Sequence, residues 1–444
     1  MRTANEEVAT AMKGNAMNFM PDRRTYLKLS VLAASAVGLA ACGSEAGADG
    51  PVTLRFTWWG GDARHKTTQQ IIEKFNMEHP NITVKGEYSD WTGYWDKLAT
   101  QVAGNDAPDI IQMDEKYVRE YGDRGALLDL NRLESLEIAD FAPDAVKSGE
   151  IDGKLHGLVI GLGTFAIAVN PEILEKAGIS MPDDKSWSWQ DYLELGSEVS
   201  RKVPGSIGIG LGYSDIDLYY WARQQGDRLY DGEAKVVIKP ETLSSFWQLR
   251  LDASKSGSTD KPAGIFESAG APLDQSSLAT GKMAFGGIFN TQLPAYNAAK
   301  GQDLKLLRIP GEAQAKERAA YYKSSMFWSL SARTKHQGAA ETFLNYLSNS
   351  QEAGDLILTE RGIPANAKIR ESITGKLGPE DTAAVEFSNA IAEEARPAPP
   401  ITPVGGSIIE SILARYMADV LFEKTTPVSA ATAFIEEIKT TIQR

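Results

Sequence analysis

From Val52 the chain alternates apolar and polar residues through Val52-Thr53-Leu54-Arg55-Phe56-Thr57, the period-two pattern of a strand with one buried face. The period then lengthens. Residues 67–78 place Ile71, Ile72 and Phe75 on one face of a helix that Pro80 ends. Residues 82–84 predict a second strand, and Tyr94, Leu98 and Val102 a second helix. Residues 108–113 predict a short apolar third strand, followed by a helix over 115–121. Strand, helix, strand, helix, strand predicts a parallel α/β layer, and such layers bind ligands outside the carboxyl ends of their strands. Those ends are Trp58-Trp59-Gly60-Gly61-Asp62, Ser89-Asp90-Trp91 and Gln112-Met113-Asp114, so aromatic, acidic and amide groups converge on one edge.

Further on, LHGLVIGLGTFAIAVN (residues 155–170) reads as strand on both sides of a Gly-x-Gly. A dinucleotide fingerprint needs an amphipathic helix after its glycines, whereas Phe165-Ala166-Ile167-Ala168-Val169 continues as strand. A strand crossing from one lobe to another fits better. Gly208-x-Gly210-x-Gly212 is weak as a fingerprint for the same reason. Helices are predicted around 189–199, 217–225, 241–254 and 339–348, and Pro-rich residues 396–400 precede two final helices over 407–422 and 427–442.

The 444 residues predict two or three domains, with 42% hydrophobic residues for their cores. A formal charge of −13 with no basic face argues against nucleic acid as a partner. One Cys and four His (His65, His79, His156, His336), with no Cys-x-x-Cys or His-x-x-x-His, predict neither a metal site nor a cofactor. That one cysteine follows an apolar run over 29–41, too short for a transmembrane helix but right for a signal-peptide core, flanked by Arg23, Arg24 and Lys28. Arg23-Arg24-Thr25-Tyr26-Leu27-Lys28 resembles the twin-arginine export signal, with a plain Sec signal as the alternative. Met17 or Met20 is an alternative start. Leu39-Ala40-Ala41-Cys42 resembles the bacterial lipobox, in which the cysteine is acylated and becomes the mature N-terminus. Residues 1–41 therefore read as a signal peptide and 42–51 as a lipid-anchored flexible tether. The expected location is the outer face of the bacterial cytoplasmic membrane, with Cys42 as the membrane contact.

Four stretches in order, APDIIQMDEKYVREYGDRGALLDL (107–130), SWSWQDYLELG (186–196), TGKMAFGGIF (280–289) and ERGIPAN (360–366), resemble the family 1 extracellular solute-binding proteins. These are the substrate-capturing lipoproteins of carbohydrate ABC importers. The resemblance runs through nearly the whole mature chain and extends to the maltose-binding branch. It implies an α/β, periplasmic-binding-protein-like type II fold: two α/β lobes, a ligand cleft, and hinge segments crossing near Gly163-Thr164, Ser324-Ser325 and 362–364. The N-terminal lobe would comprise 52–163 plus 325–364, and the C-terminal lobe 164–324 plus 365–444. It further implies a monomeric receptor, not an enzyme, that binds a sugar, hands it to ABC permease subunits, and closes about its hinge on binding.

A neutral sugar presents hydroxyl rims and apolar C–H faces, which call for flat aromatic platforms and planar amides or carboxylates. In the first lobe Trp59 would stack, Gly60 would admit close approach, and Asp62, Asp90 and Asp114 would accept from hydroxyls, with Trp91 an alternate stacker. Plainer readings stand beside these: Trp59 as core, Asp114 as a helix N-cap, Asp90 as a turn cap. By resemblance Thr164 offers a hydroxyl, Phe289 stands where the branch carries a stacking Trp, and Gly406 where it carries an aromatic. Tyr220 and Trp221 would face the cleft from the second lobe, with one of Tyr219-Tyr220-Trp221 in the core. Trp328 lies near the second crossing or in the core, and Arg361 binds a hydroxyl or pairs with Glu360. One alternative is a secreted glycosidase using Asp114 with Glu115 or Asp106 with Asp109. Another is the same fold holding a glycerophosphodiester, polyamine or peptide. Acidic strand ends favour a neutral sugar over a phosphate, and would also suit a cation.

Overall fold

The alternation that starts at Val52 runs on to Trp59, and strand Val52–Trp59 pairs in parallel with Ile82–Ser89 and Ile110–Met113. The computed structural model describes residues 50–442 apart from Tyr213, Ala269 and Gly270; the export signal, the lipobox with Cys42 and the tether up to Asp49 lie outside the described residues. Phe327–Leu330 adds antiparallel to Ile110–Met113, and Leu158–Val159 antiparallel to it, completing a mixed five-stranded sheet. On one face Phe56 packs edge-on against Phe343 (5.4 Å), which meets Phe75, so helices Asp62–Glu78 and Gln337–Asn349 cover that side. Adjacent strand residues point to opposite faces. Trp58 therefore lies with Phe56, and Trp59 meets helix Trp91–Ala103 on the other side.

The second sheet has the order Lys305–Leu307, Phe165–Val169, Met283–Phe289, Ile207–Ile209. Phe165–Val169 is antiparallel to both neighbours, and Ile207–Ile209 is parallel to Met283–Phe289. Here the glycine-rich run around 208 finds its use: a Cβ on Gly208 would sit 2.0 Å from the Gly196 carbonyl oxygen. The glycine lets helix Trp189–Lys202 approach the strand. That helix starts on a reciprocal cap in which the Asp191 N–H donates to Ser188 Oγ and the Ser188 N–H to Asp191 Oδ2.

A third, three-stranded sheet joins the halves. Gly161–Gly163 is its central strand, antiparallel to Lys323–Ser324 and to Ile363–Pro364. A Cβ on Gly161 would lie 2.7 Å from the Gly362 carbonyl carbon, and Gly362 itself sits at φ +101°, so both positions require glycine. One main core gathers buried residues from Leu54 to Val159 and from Met326 to Ala365. The other gathers Ile167 to Tyr321 and Ile409 to Ile442. The fold is thus bilobed α/β, with the three short strands between the cores. Helix Ala367–Ile373 still packs on Gln351–Ile357, whereas Pro379–Ala390 packs on Leu293–Lys300 of the second half.

Glu87 on Ile82–Ser89 shows how this sheet edge is tied. Burial opposes its ionisation, but hydrogen bonds from Arg55 (2.6 Å), Lys97 and Gln101 (3.0 Å) outweigh it and hold the carboxyl at about 2, below the ordinary 4.5. A carboxylate with a depressed folded value stabilises above its unfolded pKa and loses that contribution as pH falls through the folded one. The stability difference between the parent and Glu87→Gln, read by urea unfolding, is expected to be full at neutral pH. It should shrink between 4.5 and about 2. A difference that stays constant across that window would count against this network.

Candidate ligand-binding cleft

At the carboxyl edge of the first sheet, Trp59 sits in an aromatic cluster. Its ring is edge-on to Trp91 (5.1 Å between centroids, 79°) and Tyr94 (5.3 Å, 60°), with Trp95 at 5.5 Å. Trp91 and Trp95 are four apart on one helix and so share a face. Trp95 stacks on Tyr117 at 3.6 Å. Trp59 is only 8% exposed and Trp91 37%, so Trp91 presents the accessible surface and Trp59 backs it.

Asp90 caps helix Trp91–Ala103, accepting from the Gly93 N–H at 2.8 Å. Asp114 caps helix Glu115–Asp123 through Oδ1, which accepts from the Lys116 N–H at 3.0 Å. Its other oxygen lies 3.5 Å from Lys323 Nζ, carried in by the joining strand Lys323–Ser324. The Lys323 ammonium also donates to the Ser324 carbonyl and stands 6.0 Å from the Phe289 ring centroid. Phe289 is edge-on to Phe165 (5.7 Å), which neighbours Tyr220 (5.4 Å). Tyr220 accepts from the Phe165 N–H, and burial pushes its hydroxyl up to about 12, so it stays protonated. Thr164, fully buried, exchanges backbone contacts with Asn290: its N–H donates to Asn290 Oδ1 (2.8 Å) and its carbonyl accepts from the Asn290 N–H (2.9 Å).

The same helix start also touches the second half. Lys116 Nζ lies 2.9 Å from Asp215 Oδ1 and 2.6 Å from Glu410 Oε2. Glu115 accepts from the Thr402 N–H (2.5 Å) and hydroxyl (3.1 Å), and burial raises its pKa. Ser407 donates to Glu120 at 2.9 Å. Groups from both lobes and the joining sheet therefore converge around Asp114, with aromatics on either side.

A family model described as bacterial extracellular solute-binding protein matches residues 70–384. The chain belongs to this family. Among curated relatives, the diacetylchitobiose binding protein DasA of Streptomyces coelicolor is 24% identical over 396 residues, covering 85% of this chain and 87% of the relative. Among solved structures, a periplasmic oligogalacturonide binding protein of Yersinia enterocolitica in complex with saturated digalacturonic acid superposes with a TM-score of 0.79 at 23% identity. It covers 88% of this chain and 98% of its own. The Listeria monocytogenes substrate-binding protein Lmo0181 in complex with cycloalternan gives 0.75 at 20% identity, over 88% and 98%. These likenesses establish the two-lobed fold, and the three proteins named here are each described as binding proteins.

Within this solute-binding protein the sequence candidates fall into three groups. Trp59, Trp91 and Asp114, and Phe289, Thr164 and Tyr220, are brought together as just described. Gly60 and Asp62 lie at the same edge, Asp62 exposed at a helix start, but Gly60 makes room for a side chain of the protein: an added Cβ would meet Arg64 Cδ at 2.4 Å. Gly406 is packed under Thr402, whose Cγ2 would lie 2.7 Å from an added Cβ, so it supports the contact to Glu115. The remaining four are engaged elsewhere, Asp90 in the helix cap given above. Trp328 is 1% exposed, between Phe56 (5.5 Å) and Arg361. Trp221 donates to the Thr242 carbonyl and packs on Trp189. Arg361 is fully enclosed; its guanidinium donates to Gln112 (3.0 Å), Thr68 (2.6 Å) and Glu360 (3.3 Å).

The carboxylates that a glycosidase would need are likewise taken. Asp106 and Asp109 bind the Arg55 side chain and N–H, and Asp114 and Glu115 are adjacent on one helix start with the partners given above. Among the described residues no group of three or more His, Cys, Asp or Glu is placed to hold a metal. Sequence reasoning missed Trp95, Tyr117, Lys116 and Lys323. For Trp95 a signal existed, the four-residue spacing from Trp91 at a helix start.

Proposed function

We propose that this protein is a receptor that captures a neutral sugar, an oligosaccharide rather than a single ring, and delivers it to an ABC permease by closing its lobes. The observation that carries the reading is the aromatic cluster of Trp59, Trp91, Trp95 and Tyr117 beside Asp114, with Phe289 brought near through Lys323. Flat rings suit the C–H faces of pyranoses, and polar groups that need partners once enclosed suit their hydroxyls. The ligands named for DasA, the Yersinia protein and Lmo0181 are all saccharides, which supports the class. The cations near Asp114 are already matched by carboxylates, Lys116 by Asp215 and Glu410 and Lys323 by Asp114, which favours an uncharged sugar over a uronate or a phosphodiester. In this reading Trp91, Phe289, Asp114, Tyr220 and Thr164 line the site, the lobes divide as 52–163 plus 325–373 and 164–324 plus 374–444, with helix Ala367–Ile373 staying on the first lobe, and the hinge is the joining sheet.

Thermal-shift titration with diacetylchitobiose, cycloalternan and digalacturonate tests it. A neutral saccharide at roughly a hundredfold excess over Kd should add about 2.7 kcal/mol of stability. A shift with spermidine or a glycerophosphodiester and none with any saccharide would move the ligand class. The anchor belongs to the same proposal: Cys42→Ser should release the protein from the membrane fraction, and retention there would sink the lipidation reading.

A further inference from the structure

Helix Glu115–Asp123 belongs to the first lobe, since Val118 and Tyr121 are buried in the first core. Yet the long polar side chains of its first turns reach into the second lobe. Lys116 inserts between Asp215, the first residue of helix Asp215–Gln224, and Glu410 of helix Ile409–Leu421. The Lys116 and Asp215 side chains are 11% and 7% exposed, so this is an enclosed ion pair rather than a surface one. The seat around it is built to fit. Thr402, 2% exposed, donates twice to Glu115, receives a hydrogen bond from the Tyr230 hydroxyl (3.1 Å), and packs over Gly406 where no side chain would fit. We propose that Lys116, held between Asp215 and Glu410, is a latch that sets the fraction of protein with its lobes closed, and so sets ligand affinity without touching the ligand.

The proposal rests on the reading that the lobes close around a ligand. Its physics is a difference between two states. In an open arrangement Lys116, Asp215 and Glu410 are hydrated and independent. On closing, Asp215 loses nearly all its water and needs the ammonium, while Glu410 stays 41% exposed; without Lys116 the enclosed Asp215 carboxylate is left unpaired with Glu410 beside it. Burial works against the Lys116 ammonium, yet Asp215 and Glu410 hold its pKa above the ordinary lysine value, so it enters charged. Apparent affinity scales with the fraction of competent protein, so a side chain that makes no contact with the sugar changes Kd by the factor it changes closure.

The test needs no sugar, which separates its failure from failure of the sugar reading. Spin labels at Met77→Cys and Met181→Cys, both exposed and one on each lobe, are placed in the full chain carrying Cys42→Ser. Interlobe distances are then read by pulsed electron resonance. Lys116→Met should lower the ratio of short to long distances by at least about tenfold. Adding Asp215→Asn should recover part of the loss, because one uncompensated carboxylate is gone. Glu410→Gln, at a 41% exposed side chain, should shift the ratio the same way by less, and keeps the test alive if Lys116→Met folds poorly. Unchanged distances in both Lys116→Met and Glu410→Gln would overturn the latch. So would a second substitution that deepens the loss instead of relieving it.

Discussion

Arg361→Ala is expected to destabilise the first lobe by about 3–5 kcal/mol, the usual consequence of removing one member of a buried ionic network. The guanidinium is fully enclosed, and burial pulls its pKa down to about 9, so it remains charged at neutral pH. It donates to Gln112 Oε1, Thr68 Oγ1 and Glu360, and lies 5.4 Å from the centroid of Trp328. Truncation strands the Gln112 oxygen and opens a cavity beside Trp328, and Glu360 keeps only Arg64 as its guanidinium partner. Lysine does not reproduce a planar fork with separate donors, so Arg361→Lys should recover little of the loss. Urea unfolding of the ligand-free protein reads the effect. A variant of full stability that lost only saccharide affinity would return Arg361 to the cleft, where a purely local reading of Glu360-Arg361-Gly362 allowed it to be.

That residue marks where the sequence stops speaking. The pairing with Glu360 was legible because it is local. The bonds to Gln112 and Thr68 were not, since they join positions 249 and 293 residues apart. The strand, helix, strand opening was legible for the same reason of locality: period two at 52–57 and the Ile71, Ile72, Phe75 face are each written within a few residues, and they became Val52–Trp59 and Asp62–Glu78. Strand Phe327–Leu330, which completes the first sheet beside Ile110–Met113, carries no sign in its own residues of which strand it will join. The site divides likewise. Asp90 and Asp114 stood at strand ends before helices, so a cap was foreseeable and a cap is what their oxygens make. Lys116 read as an ordinary helical lysine because Glu410 lies 294 residues away.

Trp91→Ala is the substitution expected to cost most in binding: a fall in saccharide affinity of at least about tenfold, or 1.4 kcal/mol, with little change in the stability of the free protein. Three neighbouring tryptophans have different surroundings. Trp58 is fully buried, tilted against Phe56 at 5.0 Å and donating to His65 Nδ1 at 3.1 Å; its truncation should cost about 3–5 kcal/mol of stability and should not change which ligand binds. Trp59, on the opposite face, carries Trp91, Tyr94 and Trp95 around it, so Trp59→Ala should lower stability and affinity together by undermining the platform. Trp91 alone has both a rigid aromatic backing and more than a third of its surface free, the combination that offers a sugar face a large contact at small entropic cost. Calorimetric titration with whichever saccharide gives the largest thermal shift, run beside unfolding curves for all three variants, separates these outcomes. If Trp91→Ala binds as the parent does while Trp59→Ala binds weakly, the stacking face belongs to Trp59 and the lobes must open wide enough to bare it.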